Sequence, residues 1–171
     1  MQEYHDTEWG RPVRGDRALF ERFCLEAFQA GLSWRTVLLR RAVLREVFAG
    51  FNPVALAERD DDWVDSVLQD SRIIRNRAKV RATVANARAT LRLQALHGPD
   101  ALDSLIWSHQ PNPHPRPVHL EQVPAQTAQS LALAGTLRSA GFVFVGPTTA
   151  YALMQACGLV NDHVRDCPVQ V

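Results

Sequence analysis

The 171-residue sequence predicts an all-α protein. Three observations support this prediction: apolar residues recur at helical spacing, helix-capping residues precede these segments, and glycines follow several of them. Alternating strand patterns are nearly absent. The single candidate, residues 142–145 (FVFV), is short enough to be a connector between two helices. We expect one domain that spans residues 1–171.

The first predicted helices carry recognisable start and stop residues. Asp16 precedes an apolar pattern over residues 17–30, so we expect it to cap that helix, and Gly31 follows the helix end. Ser33 is expected to cap the next helix, whose apolar positions continue to Phe48.

The later helices are predicted from the same signals. Asn52 followed by Pro53 is a cap with proline at the first helical position. A long basic helix over residues 77–96 has an apolar edge that includes Val80 and Val84. Further helices are predicted over residues 61–68, 127–140 and 149–157, with a proline-rich connector over residues 109–120.

Composition excludes several classes of protein. The net charge of +1 gives no sign of nucleic-acid binding, and no apolar segment approaches the length of a membrane span. Three cysteines are an odd and sparse set, which favours a reducing cytoplasm over a disulfide framework. We therefore expect a cytoplasmic protein with no membrane partner.

Glu26 interrupts the apolar face of the first predicted helix. It lies seven residues after Leu19 and three after Phe23, which places it at the edge of the apolar stripe instead of the solvent face. Tyr4 and Trp34 lie in flanking segments, and their rings are candidates for stacking on a planar ligand.

Residues 139–163 read as a helix, a tight turn and a second helix. The turn ends at Gly146, and the second helix starts near Thr148 or Thr149. A small-residue turn that leads into a helix exposes backbone N–H groups, which bind phosphate oxygens. The stretch VGPTTA (145–150) looks like the hairpin of a helix-hairpin-helix module, and an ordinary αα-hairpin is the alternative.

Two further groups of residues suggest ligand binding. The basic residues of 71–92 either neutralise phosphates or form a solvated helix face beside the acidic residues 60–62; taken alone, the stretch favours the solvated face. His163 and Cys167 are four residues apart, so a helical turn would place imidazole and thiolate side by side, as zinc requires.

Together these stretches resemble the DNA-3-methyladenine glycosylase I family, within the helix-hairpin-helix glycosylase superfamily. The resemblance covers nearly the whole chain. It rests on YHDTEWG (4–10), CLEAFQAGLSW (24–34), IIRNRAKV (73–80), GFVFVGPTTAYALMQACGLVNDH (141–163) and Cys167.

The resemblance implies an all-α fold of two lobes with a lesion pocket between them, and hydrolysis of the N-glycosidic bond of 3-methyladenine in alkylated double-stranded DNA. It implies that Glu26 is the catalytic residue and hydrogen-bonds the flipped-out base, with Tyr4, Trp34 and Trp9 around that base. A carboxylate on an apolar stripe is partly desolvated, which favours a cationic base and raises the pKa of the carboxyl group.

The resemblance also implies how DNA is held. Gly31 and Leu32 lie where the family fills the gap left by the flipped nucleotide. The other implied DNA contacts are Gly146, Pro147, Thr148, Thr149 and Asn161. We expect the chain to act as a monomer.

Departures from the superfamily pattern indicate which type of glycosylase reaction to expect. Asn161 stands where much of the superfamily has a catalytic aspartate, which fits excision of a labile, cationic base. Bifunctional relatives use a lysine amine, whereas the only lysine here is Lys79, in the basic stretch. We therefore expect a monofunctional glycosylase without lyase activity. Arg72 replaces a glycine that is usual in the family.

The family's structural zinc site is matched in part. His5, His163 and Cys167 match three of its ligands, whereas an early cysteine in a Cys-x-Trp segment has no counterpart, so the N-terminus is expected to be shortened. Two alternatives follow: a non-catalytic helix-hairpin-helix DNA-binding relative, inactivated by loss of that segment, or a small zinc-stabilised helical protein without a DNA role.

Overall fold

The computed structural model describes residues 1–112 and 114–169 and contains ten α-helices and no strand in those residues. The all-α prediction is confirmed. The helices are α1 (Gln2–Thr7), α2 (Asp16–Gln29), α3 (Trp34–Leu38), α4 (Arg41–Val47), α5 (Pro53–Ala57), α6 (Asp61–Val67), α7 (Arg77–His97), α8 (Ala101–Trp107), α9 (Ala128–Ser139) and α10 (Pro147–Ala156).

Helix α2 lies at the centre of the molecule. It packs against α3, α7, α8 and α10, while α5 packs on α7 and α9 on α10. Its apolar side chains, among them Phe20 and Phe28, are fully buried, and the ring of Phe23 meets that of Phe142 edge-on at 5.6 Å. Side chains on α2 are therefore held on a rigid element, which suits a functional group.

Several local predictions are confirmed. Ser33 accepts a hydrogen bond from the Thr36 backbone at 3.2 Å, and Asn52 accepts one from Val54 at 3.0 Å. Residues 142–145 form a connector without strand structure. The predicted helix after Ser33 is instead two helices, α3 and α4. Pro113, in the predicted connector, lies outside the described residues.

Asp16 does not cap its own helix, contrary to the prediction. Its carboxylate accepts hydrogen bonds from the backbone of Leu102 at 3.2 Å and Asp103 at 2.8 Å, and from Gln94 at 2.8 Å. Asp16 therefore satisfies the first N–H groups of α8, a helix that the sequence did not reveal. The N-cap of α2 is Gly15.

Among the described residues, no helix combines the length and the apolarity needed to span a membrane.

Candidate active site

A cavity of about 280 Å³ opens where α1, α2, α10 and the start of α3 meet. The volume is at the small end of the range for ligand pockets. Its walls bring together the four predicted base-binding residues with side chains that the sequence did not indicate. The lining residues are Met1, Tyr4, His5, Trp9, Glu26, Gln29, Trp34, Ala152 and Gln155.

Glu26 supplies the carboxyl group of this cavity. The residue is only 4% exposed, and its Oε2 atom has no hydrogen-bond partner among the described residues. Burial raises the pKa of Glu26 to about 8, and the positive charge of Arg22 partly opposes this rise. An unpaired buried carboxyl group costs free energy of folding, so its presence points to a ligand that completes it.

Aromatic rings form the wall beside Glu26. The rings of Tyr4 and Trp34 lie 5.2 Å apart and are tilted by 46°, and Trp9 also lines the cavity. Burial raises the pKa of the Tyr4 phenol, which stays neutral. Trp34 Nε1 is buried without a partner in the part of the chain that the structure describes. The cavity thus offers an unpaired donor, a carboxyl group and aromatic faces to a flat ligand.

Gln155 is a cavity residue that the sequence did not reveal. Its side chain donates to Asp162 at 2.7 Å, and the same carboxylate accepts from Tyr151 at 2.7 Å and bonds to His114 at 3.0 Å. His114 is therefore joined to Gln155 and Tyr151 through the Asp162 carboxylate. Gln155 carries no sequence signal because its partners lie elsewhere in the chain.

The two predicted DNA-contacting segments lie side by side. A shallow hollow of about 210 Å³ next to the cavity is lined by residues 30–32 and by Thr148 and Thr149. Gly31 has a φ of 77°, which favours glycine, and Leu32 is 41% exposed. Gly146 is the N-cap of α10 and Pro147 is its first residue, so the N-terminus of α10 faces this hollow.

Lys79 is buried and holds the end of α2. Its ammonium group donates to the carbonyl oxygens of Phe28 at 2.7 Å and Ala30 at 2.6 Å and lies 5.9 Å from the ring centre of Phe144. Lys79 therefore belongs neither to a phosphate-binding surface nor to a solvated helix face. Lys79 instead supports the turn at residues 30–32 and the connector that precedes α10.

Much of the remaining basic stretch is paired within the protein. Arg72 binds Asp70 and Glu46, and Arg81 binds Asp61 at 2.9 Å. Further pairs join Arg77 to Asp65 and Arg88 to the carbonyl oxygens of Ala57 and Arg59. The structure thus favours the solvated face over a phosphate-binding surface, and it gives Arg72 a local ion-pair role.

The predicted metal ligands meet in space. Donor atoms of His5, His163 and Cys167 all lie within 4.8 Å of one another, and His163 Nε2 is buried without a partner among the described residues. The expected helical turn between His163 and Cys167 is absent. Hydrogen bonds from Arg116 to the carbonyl oxygens of both residues hold this segment. Asn161 accepts hydrogen bonds from the backbone and the ring of His163.

This fold and cavity define a helical protein with a pocket lined by aromatic rings and a buried carboxyl group. The family model for methyladenine glycosylase matches residues 1–170, and the chain belongs to this family. A DNA-3-methyladenine glycosylase of Haemophilus influenzae is 45% identical over 169 residues, which cover 97% of this chain and 90% of the relative. DNA-3-methyladenine glycosylase 1 of Escherichia coli K12 is 46% identical over 167 residues, covering 96% and 88%.

Solved structures agree with this assignment. A crystal structure of 3-methyladenine DNA glycosylase I superimposes with a TM-score of 0.94 at 41% identity, covering 99% of this chain and 93% of that one. The Staphylococcus aureus enzyme, studied for its recognition of 3-methyladenine, gives a TM-score of 0.93 at 30% identity, with coverage of 99% and 90%.

Proposed function

We propose that this protein is a monofunctional DNA glycosylase that flips 3-methyladenine out of alkylated double-stranded DNA and hydrolyses its N-glycosidic bond. The observation that carries this proposal is the buried, unpaired Glu26 carboxyl group beside the Tyr4 and Trp34 rings, in a member of the methyladenine glycosylase family. The family relatives are named for the same substrate base.

The pocket suits a cationic base. Adenine methylated at N3 carries a positive charge while it is bonded to the sugar, so it is already a good leaving group. Glu26 in its ionised form attracts that charge in a site with little water, and the rings of Tyr4 and Trp34 add cation–π attraction. Neutral adenine gains neither the attraction to the Glu26 charge nor the cation–π attraction. Selection and flipping are therefore the main tasks of the protein.

The hollow beside the cavity fits a DNA backbone. The small-residue start of α10, Gly146–Thr149, exposes N–H groups that can hold a phosphate, as in a helix-hairpin-helix module. Leu32, on the turn after α2, is exposed and lines the same hollow, and its proposed role is to occupy the gap left by the flipped nucleotide. Asn161 orients His163 in this structure, and a contact to DNA is its second proposed role.

The environment of the one lysine supports the monofunctional assignment. The sequence has one lysine, Lys79. Its ammonium group is fixed by two carbonyl oxygens of the chain and does not line the cavity. A lysine amine held in this way is not available for Schiff-base chemistry, and water is the proposed nucleophile.

Zinc is the proposed structural cofactor. His5, His163 and Cys167 would hold the ion, since their donor atoms converge and His163 Nε2 lacks another partner among the described residues. The ion would tie α1 to the C-terminal segment and so keep Tyr4 against the cavity. Metal analysis of the purified protein and the fall in Tm on adding a chelator test this role.

Identification of the released bases tests the proposed function. Methylated duplex DNA is incubated with the protein, and the products are separated by chromatography. We expect 3-methyladenine with little 7-methylguanine. Salt-dependent DNA binding without base release would instead identify a non-catalytic DNA-binding relative, and the absence of both would contradict any DNA role.

A further inference from the structure

Arg22 lies one helical turn before Glu26 on the same face of α2. Its Nη2 atom donates to Glu8 at 2.8 Å, and its guanidinium carbon lies 5.8 Å from the centre of the Tyr4 ring. The Arg22 side chain is 13% exposed and does not line the cavity. Tyr4 and Glu26 do line it, so Arg22 contacts the cavity wall from behind.

Arg22 and Glu26 are both incompletely paired. Arg22 Nη1 and Glu26 Oε2 are buried, and neither has a hydrogen-bond partner among the described residues. One atom is a charged donor and the other an acceptor, one turn apart. The positive charge of Arg22 acts on the Glu26 carboxyl and partly opposes the effect of burial on its pKa. Two complementary unpaired groups in one place point to a functional coupling.

Glu8 and Arg41 determine the net charge of the groups around Arg22. Arg41 binds both carboxylate oxygens of Glu8, at 2.5 and 2.8 Å, and these contacts hold the pKa of Glu8 at about 2. The three ionised groups Glu8, Arg22 and Arg41 sum to one positive charge, which balances one ionised Glu26. The titratable groups that interact with Glu26 or share its cavity are Arg22, Tyr4, Cys157 and His5, whereas Glu8 interacts with Tyr4.

We propose that Arg22 is a positioning residue of the glycosylase reaction, which acts through Glu26 by favouring its ionised carboxylate when the cationic base enters. This inference rests on the proposed function. Guanidinium groups stay protonated at all relevant pH values, so the support is constant. The ring of Tyr4 lies between the guanidinium group and the cavity, which limits repulsion of the cationic base.

Arg22→Met and Arg22→Lys test the proposal, with Arg45→Met as the matched control. Arg45 forms an ion pair with Glu21 away from the cavity. The measurement is kcat/KM for 3-methyladenine release from methylated duplex DNA between pH 6 and 9. We expect the acidic limb of the Arg22→Met profile to move up by about one pH unit, with about tenfold lower activity at pH 7 and near-normal activity at pH 9. Arg22→Lys keeps the positive charge and should therefore show a pH profile close to that of the wild-type protein.

A purely structural role for Arg22 predicts a different result. If Arg22→Met lowers kcat/KM by the same factor at every pH, or leaves the pH profile unshifted, the inference about Arg22 is wrong. The proposed function still stands in that case, because the wild-type protein is active. An inactive wild-type protein would overturn both. If Arg22→Met does not fold, Glu8→Gln provides the second test. This substitution removes the negative charge that is paired with Arg22, so the positive charge of Arg22 acts more strongly on Glu26. The acidic limb of the pH profile should therefore move to lower pH. An acidic limb that stays in place or moves to higher pH in Glu8→Gln would contradict the coupling between Arg22 and Glu26.

Discussion

Replacement of Glu26 by glutamine should stabilise the protein while it abolishes base excision. The carboxyl group is 4% exposed and unpaired at Oε2, and burial raises its pKa from 4.5 to about 8. The folded state therefore holds a proton that the unfolded chain releases above pH 4.5. The stability of the wild-type protein falls as pH rises from about 4.5 to about 8 and levels off above that range.

The size of this effect follows from the pKa difference. Each unit corresponds to about 1.4 kcal/mol. Between pH 5 and pH 8, ionisation of Glu26 should therefore lower the free energy of unfolding by about 3 kcal/mol. Glutamine does not titrate, so the stability of Glu26→Gln relative to wild type should rise by this amount over the same range. Any constant cost of burying the amide cancels in the comparison.

Urea unfolding followed by tryptophan fluorescence at pH 5, 6, 7 and 8 measures the difference. Glu58→Gln, at an exposed position, is the control and should run parallel to the wild-type protein. Parallel curves for Glu26→Gln and wild type would refute the reasoning, because they would mean that the Glu26 carboxyl group is not desolvated.

Three other substitutions test the supports of the site. Lys79→Met removes two charge-assisted hydrogen bonds to the end of α2 and should lower the free energy of unfolding by about 3 kcal/mol; an unchanged urea midpoint would contradict this. Asp16→Ala removes the hydrogen-bond acceptor for the first N–H groups of α8 and should lower Tm by roughly 5 °C in calorimetry. An unchanged Tm would mean that these hydrogen bonds do not stabilise the protein. Leu32→Ala, at an exposed position, should change stability by less than about 0.5 kcal/mol yet slow excision; unaltered single-turnover rates would exclude its gap-filling role.

Local signals in the sequence predicted much of the fold. The caps at Ser33 and Asn52 and the glycine after α2 act within a few residues, so they can be read directly from the chain. Asp16 looked like another local cap, but its carboxylate bonds to α8, more than 80 residues away. The start of α8 is satisfied by that distant partner, and no local pattern marked the helix.

The site was predictable to the same extent. Glu26 stood out because a carboxylate on an apolar helix face is unusual, and the structure places it in the cavity. Arg22 gave no such signal, since its importance depends on Glu8 and Tyr4, which fold back from α1 and the turn that follows it. The buried position of Lys79 was not predicted, because a basic helix pattern does not reveal which side chain turns inward to bind carbonyl groups.

Single-turnover release of 3-methyladenine by wild-type protein and by Glu26→Gln tests the central claim most directly. Both proteins are used at saturating concentration on the same methylated duplex, so that differences in DNA affinity do not contribute. We expect rapid release by the wild-type protein and release near the uncatalysed rate by Glu26→Gln at pH 8. Equal rates for the two proteins would contradict the role of the buried carboxylate in selecting and excising the cationic base.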